Sequence, residues 1–252
     1  MTYFRRPRPW QIIPLLLVPA LMVGCTTSDD KTTTTITVMA AASLTEPFTE
    51  LAQTFEAQYP GVKVTLVFDG SSTLSTQLVE GAPADVFASA SKATMTEVTD
   101  AGLITSPAVF TGNQLTIAVP ADNPAKITSL ADLATPGVTV VVCAPEVPCG
   151  ALAASVIAAS GLDITPVSEE QNVKAVVTKL TTGAADAGFV YLSDAKAEPG
   201  ITAVGELTDA TTDYYIGVLT GADPLASEFV ALVRSSAGQK VLTDAGFSPV
   251  QP

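Results

Sequence analysis

Residues 68–90 read FDGSSTLSTQLVEGAPADVFASA, and this stretch predicts the fold of the chain around it. The alternating apolar residues that lead into Asp69 predict a strand, and the small hydroxyl residues after Gly70 are typical of a helix N-terminus. Gly81 ends that helix, and residues 84–90 predict a further strand. A strand-to-helix turn presents free backbone N–H groups and the positive end of the helix dipole. The stretch therefore predicts a turn suited to an anion.

Composition limits the class of protein and the kind of ligand site. The chain has 252 residues, enough for one large domain or two of about 100 residues each. Its 47% hydrophobic and 15% charged residues argue against disorder. The net charge of −13 argues against nucleic acid as a partner. An anion site in such a chain must act through short-range donors in a sheltered cleft.

The N-terminus predicts export. Arg5, Arg6 and Arg8 precede a mostly apolar stretch, residues 11–23, which is short for a membrane span and is laid out like a secretory signal peptide. We predict a signal peptide over residues 1–24. Its removal takes away three arginines and no acid, which leaves nine basic residues against 25 acidic ones, a net charge of −16.

Cys25 predicts a lipid anchor. Residues 21–25, LMVGC, resemble a lipobox, after which the cysteine becomes the lipidated N-terminus of a bacterial lipoprotein. An uncleaved anchor and an ordinary signal peptide are the alternatives. Residues 25–35 are short and Thr-rich, so we expect them to tether the anchor to the folded part at the outer face of the cytoplasmic membrane.

Two cysteines remain for the folded part. Cys143 and Cys149 are candidates for a disulfide, because an exported chain meets an oxidising setting. Metal ligation is the competing interpretation, but two cysteines without any histidine make a poor zinc site.

The order of the elements predicts an α/β protein. Strands are expected over residues 36–42, 62–68, 84–90, 115–119, 138–142, 186–191 and 214–219, and helices over residues 45–59, 71–80, 92–101, 129–134, 151–160, 171–182, 224–235 and 237–245. Ser43 ends the first strand as Gly70 ends the second, and both turns fall on the carboxyl edge of a parallel sheet, where ligands bind. Each serine is alternatively a helix cap.

Two further features predict a second lobe. Residues 143–150 form another strand-to-helix turn, and the strand at 186–191 delivers Tyr191 to its carboxyl end, where it is either a ligand donor or a core residue. The chain leaves the first lobe near Leu115 and returns near Gly217, so lobe 1 comprises residues 36–115 and 217–252 and lobe 2 residues 116–216. The linking strands would form a hinge.

At this point the chain resembles a known family, the solute-binding proteins of bacterial molybdate ABC transporters. The resemblance rests on ITVMAAASLTEPF, the stretch at 68–90, LTIAVP, APEVPCGALA, QNVKAVV, GFVYLSDA and AGFSPV, which together cover nearly the whole chain after Thr35. It implies a two-lobed periplasmic-binding-protein (Venus flytrap) fold, each lobe a mixed sheet flanked by helices, with a hinge of crossing strands. One oxyanion is held in the cleft without a formal positive charge.

The resemblance also implies a ligand set and leaves two departures. The implied donors are the hydroxyl and N–H of Ser43, Ser71, the main-chain N–H groups of Cys149 and Val173, and the phenolic hydroxyl of Tyr191. Cys149 stands where the family commonly has alanine, which a main-chain donor tolerates. Asp69 stands just before the serines with no assigned role.

The function implied by the resemblance is capture of molybdate or tungstate and delivery to an ABC permease, by a monomer without a cofactor, without a directly bound metal and without enzymatic activity. A sulfate or thiosulfate binder of the same fold is the alternative. An exported hydrolase with Ser43 or Ser71 as nucleophile lacks any histidine base and any G-x-S-x-G motif. A sensory or adhesive lipoprotein that binds an anion is a further possibility.

Overall fold

The computed structural model describes Thr2 and residues 33–250 apart from residues 206 and 208. The rest of the predicted signal peptide, the lipidation site Cys25 and the tether up to residue 32 lie outside the described residues. Within the described part, no helix combines the length and apolar character needed to cross a bilayer.

Strands and helices alternate along the described chain. The strands are β1 Thr34–Ala41, β2 Val62–Asp69, β3 Val86–Ser89, β4 Ala108–Pro120, β5 Val140–Cys143, β6 Ser168–Glu170, β7 Ala187–Tyr191, β8 Ile201–Val204 and β9 Thr211–Val218. The α-helices are α1 Thr45–Gln58, α2 Ser71–Val79, α3 Lys92–Asp100, α4 Pro148–Ser160, α5 Val173–Thr181, α6 Leu192–Ala197, α7 Leu225–Arg234 and α8 Ser236–Asp244. Short 3-10 helices lie at Ala42–Leu44 and Leu130–Ala134.

The long strand β4 joins two sheets. Its first part, up to Gln114, pairs antiparallel with β9, and β9 continues the sheet to β3, β1 and β2. Its second part, from Leu115, pairs antiparallel with β7 and β8, and β7 continues to β5 and β6. We call these the first and the second sheet. Strands β1, β2 and β3 are mutually parallel, as are β5, β6 and β7, so each sheet is mixed.

Helices cover both faces of the first sheet. On one face Phe48 and Phe55 of α1 pack edge-on against Phe229 of α7. On the other face Leu74 and Leu78 of α2 pack with residues of α3. Pro47 lies in the first turn of α1, where its missing N–H leaves no hydrogen bond unmade. Burial of these apolar rows is the main stabilising contribution to this part of the chain.

The second sheet is built around a run of β-branched residues. Val140, Val141 and Val142 are buried, as expected for a parallel strand that is covered on both faces. Val176 and Leu180 of α5 join the same core. The result is a second core with its own helices.

The element order confirms the predicted α/β class and most of the predicted helices and strands. Strand β4 is longer than predicted because Gly112 and Asn113, which resemble a loop in sequence, pair with β9. Helix α4 begins at Pro148 rather than at Ala151. The short elements β6, β8 and α6 were not predicted, since three to six residues carry too little periodicity. β1 starts at Thr34, inside the segment expected as tether.

Candidate anion-binding site

A small cavity lies where the carboxyl ends of strands from the two sheets meet. It encloses about 210 Å³ of space not filled by atoms, part of it open to solvent. All five of the residues predicted to bind the anion line this cavity, together with eight neighbours. The lining residues are Ala41, Ala42, Ser43, Asp69, Gly70, Ser71, Ala90, Val147, Pro148, Cys149, Asn172, Val173 and Tyr191.

Ser43 is placed by the end of β1. The strand runs directly into the 3-10 helix Ala42–Leu44, and the Thr45 hydroxyl donates to the Ala42 carbonyl at 2.7 Å to fix this turn. The Ser43 hydroxyl lies 2.7 Å from the Tyr214 hydroxyl and either can donate. If Tyr214 donates, the Ser43 proton is free to point at a ligand.

Ser71 is the first residue of α2. Its hydroxyl oxygen accepts a hydrogen bond from the Ala90 N–H at 3.0 Å, which ties the start of α2 to the end of β3. The Ser71 proton remains available for a ligand because the hydroxyl acts there only as an acceptor. No side chain caps this helix at its N-cap residue, Gly70, so its first N–H groups are not satisfied by a cap.

Cys149 lies in the first turn of α4. A disulfide joins it to Cys143 at the end of β5, with a Cα–Cα distance of 5.7 Å. The next residue, Gly150, packs directly against the main chain of Ala144, since a Cβ there would lie 2.0 Å from the Ala144 carbonyl oxygen. The α4 N-terminus also has no side-chain cap. The disulfide and the glycine together hold this helix start against the end of β5.

Val173 begins α5. The residue before it, Asn172, is the N-cap, and its side-chain oxygen accepts from the Ala175 N–H at 3.0 Å. This bond satisfies the third N–H of the helix and leaves the Val173 N–H free of it. The start of a third helix therefore faces the cavity.

The buried hydroxyl of Tyr191 is the most informative feature of the site. Its side chain is 1% exposed, and its hydroxyl has no hydrogen-bond partner among the described residues. Burial raises the pKa of Tyr191 well above its ordinary value, with further contributions from Tyr214 and Asp194, so the hydroxyl keeps its proton. A buried donor without an acceptor is costly, and in a cavity it indicates a ligand that accepts.

An ion-pair network lies beside Tyr191. Asp194 is fully buried, and one of its carboxylate oxygens accepts from the Tyr191 N–H at 3.2 Å. The other oxygen lies 3.2 Å from the Lys174 ammonium, which also contacts Glu46 at 2.9 Å. Burial raises the pKa of Asp194 to about 6 although Lys174 opposes the shift. Asp194 and Glu46 raise the pKa of Lys174 against the effect of its burial, so it remains a cation.

Charge within the cavity itself is confined to one carboxylate. Asp69 is the one lining residue with a formal charge, and no Lys or Arg is among the lining residues that the structure describes. Nor do the described residues place three or more Cys, Asp or Glu where they could hold a bare metal ion. The arrangement of hydroxyls and helix N-termini suits an anion bound through neutral donors.

Sequence reasoning missed three partners of the site. Tyr214 is 171 residues from Ser43, and nothing near either residue signals their contact. Asn172 precedes a helical pattern and could have been identified as an N-cap from its residue type. Asp194 carries no local signal of its complete burial.

Comparison with known proteins assigns the family. A family model for bacterial extracellular solute-binding proteins matches residues 36–248. The chain belongs to this family. Among its relatives, the molybdate-binding protein ModA of Mycobacterium tuberculosis is 47% identical to this solute-binding protein over 219 residues, 84% of each chain. The molybdate-binding protein ModA of Escherichia coli is 31% identical over 204 residues, 74% of this chain and 77% of its own.

Solved structures share the fold of this solute-binding protein. The periplasmic molybdate-binding protein of Azotobacter vinelandii superposes with a TM-score of 0.74 and 21% identity, over 86% of this chain and 100% of that one. The sulfate-binding protein SubI of Mycobacterium tuberculosis superposes with a TM-score of 0.76 and 22% identity, over 87% and 88%. At such identities the likeness shows the two-lobed fold of periplasmic binding proteins and does not distinguish the ligand.

Proposed function

We propose that this solute-binding protein captures molybdate or tungstate outside the cytoplasm and delivers it to an ABC permease. The observation that carries the proposal is the buried Tyr191 hydroxyl, unpaired among the described residues, in a cavity bordered by the N-termini of three helices. The names of the relatives from Mycobacterium tuberculosis and Escherichia coli support molybdate as the ligand.

We assign the donors as the sequence predicted them. Ser43 and Ser71 would give hydroxyl and main-chain N–H groups from the first lobe. Cys149 and Val173 would give main-chain N–H groups from the second lobe, and Tyr191 its hydroxyl. Their common position around one cavity supports this set.

The chemistry of the donors supports a fully deprotonated oxyanion. Hydrogen phosphate carries an O–H that needs an acceptor, whereas the five proposed groups act as donors towards the ligand. The Asp69 carboxylate is the exception in the lining, but one of its oxygens already accepts from the Gly70 N–H and from the Asn172 amide. Molybdate and tungstate present four acceptor oxygens at neutral pH. Sulfate is smaller and would leave some of the donors stretched.

The experiment is a titration of the purified protein with molybdate, tungstate, sulfate and phosphate, followed by thermal unfolding and calorimetry. A ligand at 100 times its Kd should stabilise the folded state by about 2.7 kcal/mol. Stabilisation by molybdate and tungstate at concentrations where sulfate and phosphate have no effect supports the proposal. Stabilisation by sulfate alone would favour the second candidate.

That second candidate is a sulfate-binding or thiosulfate-binding protein. The observation in its favour is the superposition on the sulfate-binding protein SubI. The same titration separates the two candidates, because they share the fold and differ in the ligand.

We infer binding without catalysis. The sequence has no histidine to serve as a general base. The Ser43 hydroxyl contacts a tyrosine hydroxyl, and the Ser71 hydroxyl accepts from a main-chain N–H, so neither is paired with a basic side chain among the residues that the structure describes. Ester turnover that disappears in a Ser43→Ala variant would contradict this inference.

The division into lobes and the anchor complete the proposal. Residues 36–115 with 217–252 would form lobe 1 and residues 116–216 lobe 2. The change of partner of β4 at Leu115 supports the first passage of the chain between the lobes, while pairing of β9 with β3 and β4 from Thr211 favours a return to lobe 1 somewhat before Gly217.

We propose that lipid on Cys25 holds the monomer at the outer face of the membrane. Release of a Cys25→Ser variant from the membrane fraction tests the anchor.

A further inference from the structure

Asp69 makes a contact across the cleft. It ends β2 in the first sheet, and one of its carboxylate oxygens accepts a hydrogen bond from the side-chain amide of Asn172 at 2.8 Å. The same oxygen accepts from the N–H of the next residue, Gly70, at 2.7 Å. Asn172 stands in the second lobe, at the start of α5. The bond therefore joins the two halves of the anion site directly.

Asn172 uses both ends of its amide. The nitrogen donates to Asp69, and the oxygen accepts from the Ala175 N–H as the cap of α5. The two bonds fix which way the amide faces, because the acceptor Asp69 can be satisfied only by the nitrogen. The amide in turn fixes the first turn of α5, whose first residue is Val173. Asp69 thus determines the position of a donor that belongs to the opposite lobe.

The main chains touch at the same point. A Cβ on Gly70 would lie 2.3 Å from the carbonyl oxygen of Gln171, well inside normal contact. Gly70 has a φ of −58° and a ψ of 137°, which any residue can adopt, so glycine is needed here for the close approach and not for its backbone conformation.

A second polar contact flanks the first. Lys174, one residue beyond Val173, places its ammonium 2.9 and 3.0 Å from the two carboxylate oxygens of Glu46 in α1. Lys174 also contacts Asp194, which accepts from the Tyr191 N–H. The segments that carry the proposed donors Val173 and Tyr191 are therefore connected to Glu46 of the first lobe through Lys174.

We propose that Asp69 is a positioning residue that, through Asn172, sets the Val173 N–H over the anion when the lobes close. The inference rests on the proposed function. It gives a role to a carboxylate that would otherwise repel the ligand. Its charge is opposed by two donors, the Gly70 N–H and the Asn172 amide, which face it directly.

The test compares Asp69→Ala, Asp69→Asn and Asn172→Ser with the wild type in molybdate titrations and in measurements of the dissociation rate. Asp69→Ala should weaken binding about tenfold, mostly through faster dissociation, because a hydrogen bond with a charged partner is lost. Asp69→Asn keeps a side-chain oxygen for Asn172 and should restore most of the affinity. Asn172→Ser keeps an N-cap for α5 but is too short to reach Asp69.

Two readouts separate positioning from a general structural role. The loss in Asp69→Ala and the loss in Asn172→Ser should not add in the double variant, because both remove the same bond. The unfolding temperature without anion should stay close to that of the wild type in each variant. Gly70→Ala should also weaken binding, since its methyl group would oppose closure against Gln171. Asp122→Ala, an exposed carboxylate outside the cavity, is the control for charge and should bind as the wild type does.

The direction of the change in molybdate affinity of Asp69→Ala decides whether Asp69 is a positioning residue. If Asp69→Ala binds molybdate as tightly as the wild type, or more tightly, the carboxylate only repels the anion and the positioning role is wrong. Additive losses in the double variant would also contradict it. A wild type that binds none of the four oxyanions overturns the proposed function, and the positioning role falls with it.

Discussion

The hydroxyl of Ser43, which borders the candidate anion cavity, lies 2.7 Å from the hydroxyl of Tyr214, whose side chain belongs to the core of the first sheet. Tyr214 is fully buried in β9, and its pKa is raised above its ordinary value mainly by that burial, so its hydroxyl retains its proton. When Tyr214 donates this proton to Ser43, the hydroxyl proton of Ser43 is available to a ligand in the cavity. The pair links β9, which pairs with the first part of β4, to a predicted ligand donor.

Tyr214→Phe should therefore weaken oxyanion binding several-fold without a contact between Tyr214 and the anion. The variant leaves Ser43 without its partner, and stability should also fall by about 1 kcal/mol, the usual net value of one hydrogen bond. Calorimetry and thermal unfolding measure the two effects. Tyr59→Phe, which removes the hydroxyl of a half-buried tyrosine packed on Phe55, is the matched control. Equal affinity in the two variants would contradict the role of Tyr214.

Tyr191→Phe should separate affinity from stability. Loss of a donor to a charged ligand should cost about 1.5 to 3 kcal/mol of binding free energy. Without anion, the variant should be as stable as the wild type or more stable, because it removes a buried hydroxyl that lacks a partner in the described part of the protein. Unchanged affinity measured by calorimetry would remove Tyr191 from the ligand set.

Removal of the disulfide should affect stability more than binding. The variant with Cys143→Ala and Cys149→Ala opens a short loop, for which the chain-entropy relation gives a loss of about 2 kcal/mol. Because the proposed donor at position 149 is main-chain N–H, affinity should fall only a few-fold. Urea unfolding and calorimetry measure the two quantities. Complete loss of binding with the fold intact would show that the bridge itself is required for the site.

The buried carboxylate of Asp194 predicts a pH dependence of stability. Its pKa is raised to about 6 in the folded chain, whereas an aspartate in an unfolded chain titrates near pH 4. Between these two values the folded state binds more protons than the unfolded state, so the contribution of Asp194 to stability is lost as pH rises from about 4 to about 6. Below pH 4 the contribution is fully present.

Asp194→Asn isolates this contribution. We expect the unfolding temperature of the variant, relative to the wild type, to increase as pH rises from 4 to 6 and to change little from there to 8. The comparison cancels carboxylates that titrate in both proteins. A difference that is constant over the whole range, or that decreases with pH, would mean that Asp194 does not titrate as proposed.

Much of the fold follows from local patterns in the sequence. The strand at Val62–Asp69 alternates as expected, α2 begins at hydroxyl residues and is followed by Gly81, and Pro47 marks a first turn. Such signals depend only on residues that are close together in the sequence, so they can be identified without the structure. Strand β4 shows the limit of local patterns. Gly112 and Asn113 are poor strand residues in isolation, and their pairing with β9 depends on a partner about one hundred residues away.

The candidate site also combines residues that local sequence predicted with partners that it did not. The five predicted donors all border one cavity because each lies at the end of a strand or the start of a helix, and such ends meet at one edge of each sheet. Their roles as ligands remain predictions. The partners that orient them, Tyr214 for Ser43 and Asp69 for Asn172, depend on side chains brought together from distant segments. Asp69 had no role in the sequence interpretation and gains one only from the contact across the cleft.

A calorimetric titration of the purified wild-type protein with molybdate and, in parallel, with sulfate tests the proposed oxyanion specificity. We expect saturable binding of one molybdate per chain, with sulfate bound far more weakly or not at all. Binding of sulfate at least as tight as that of molybdate, or no binding of molybdate, would contradict it.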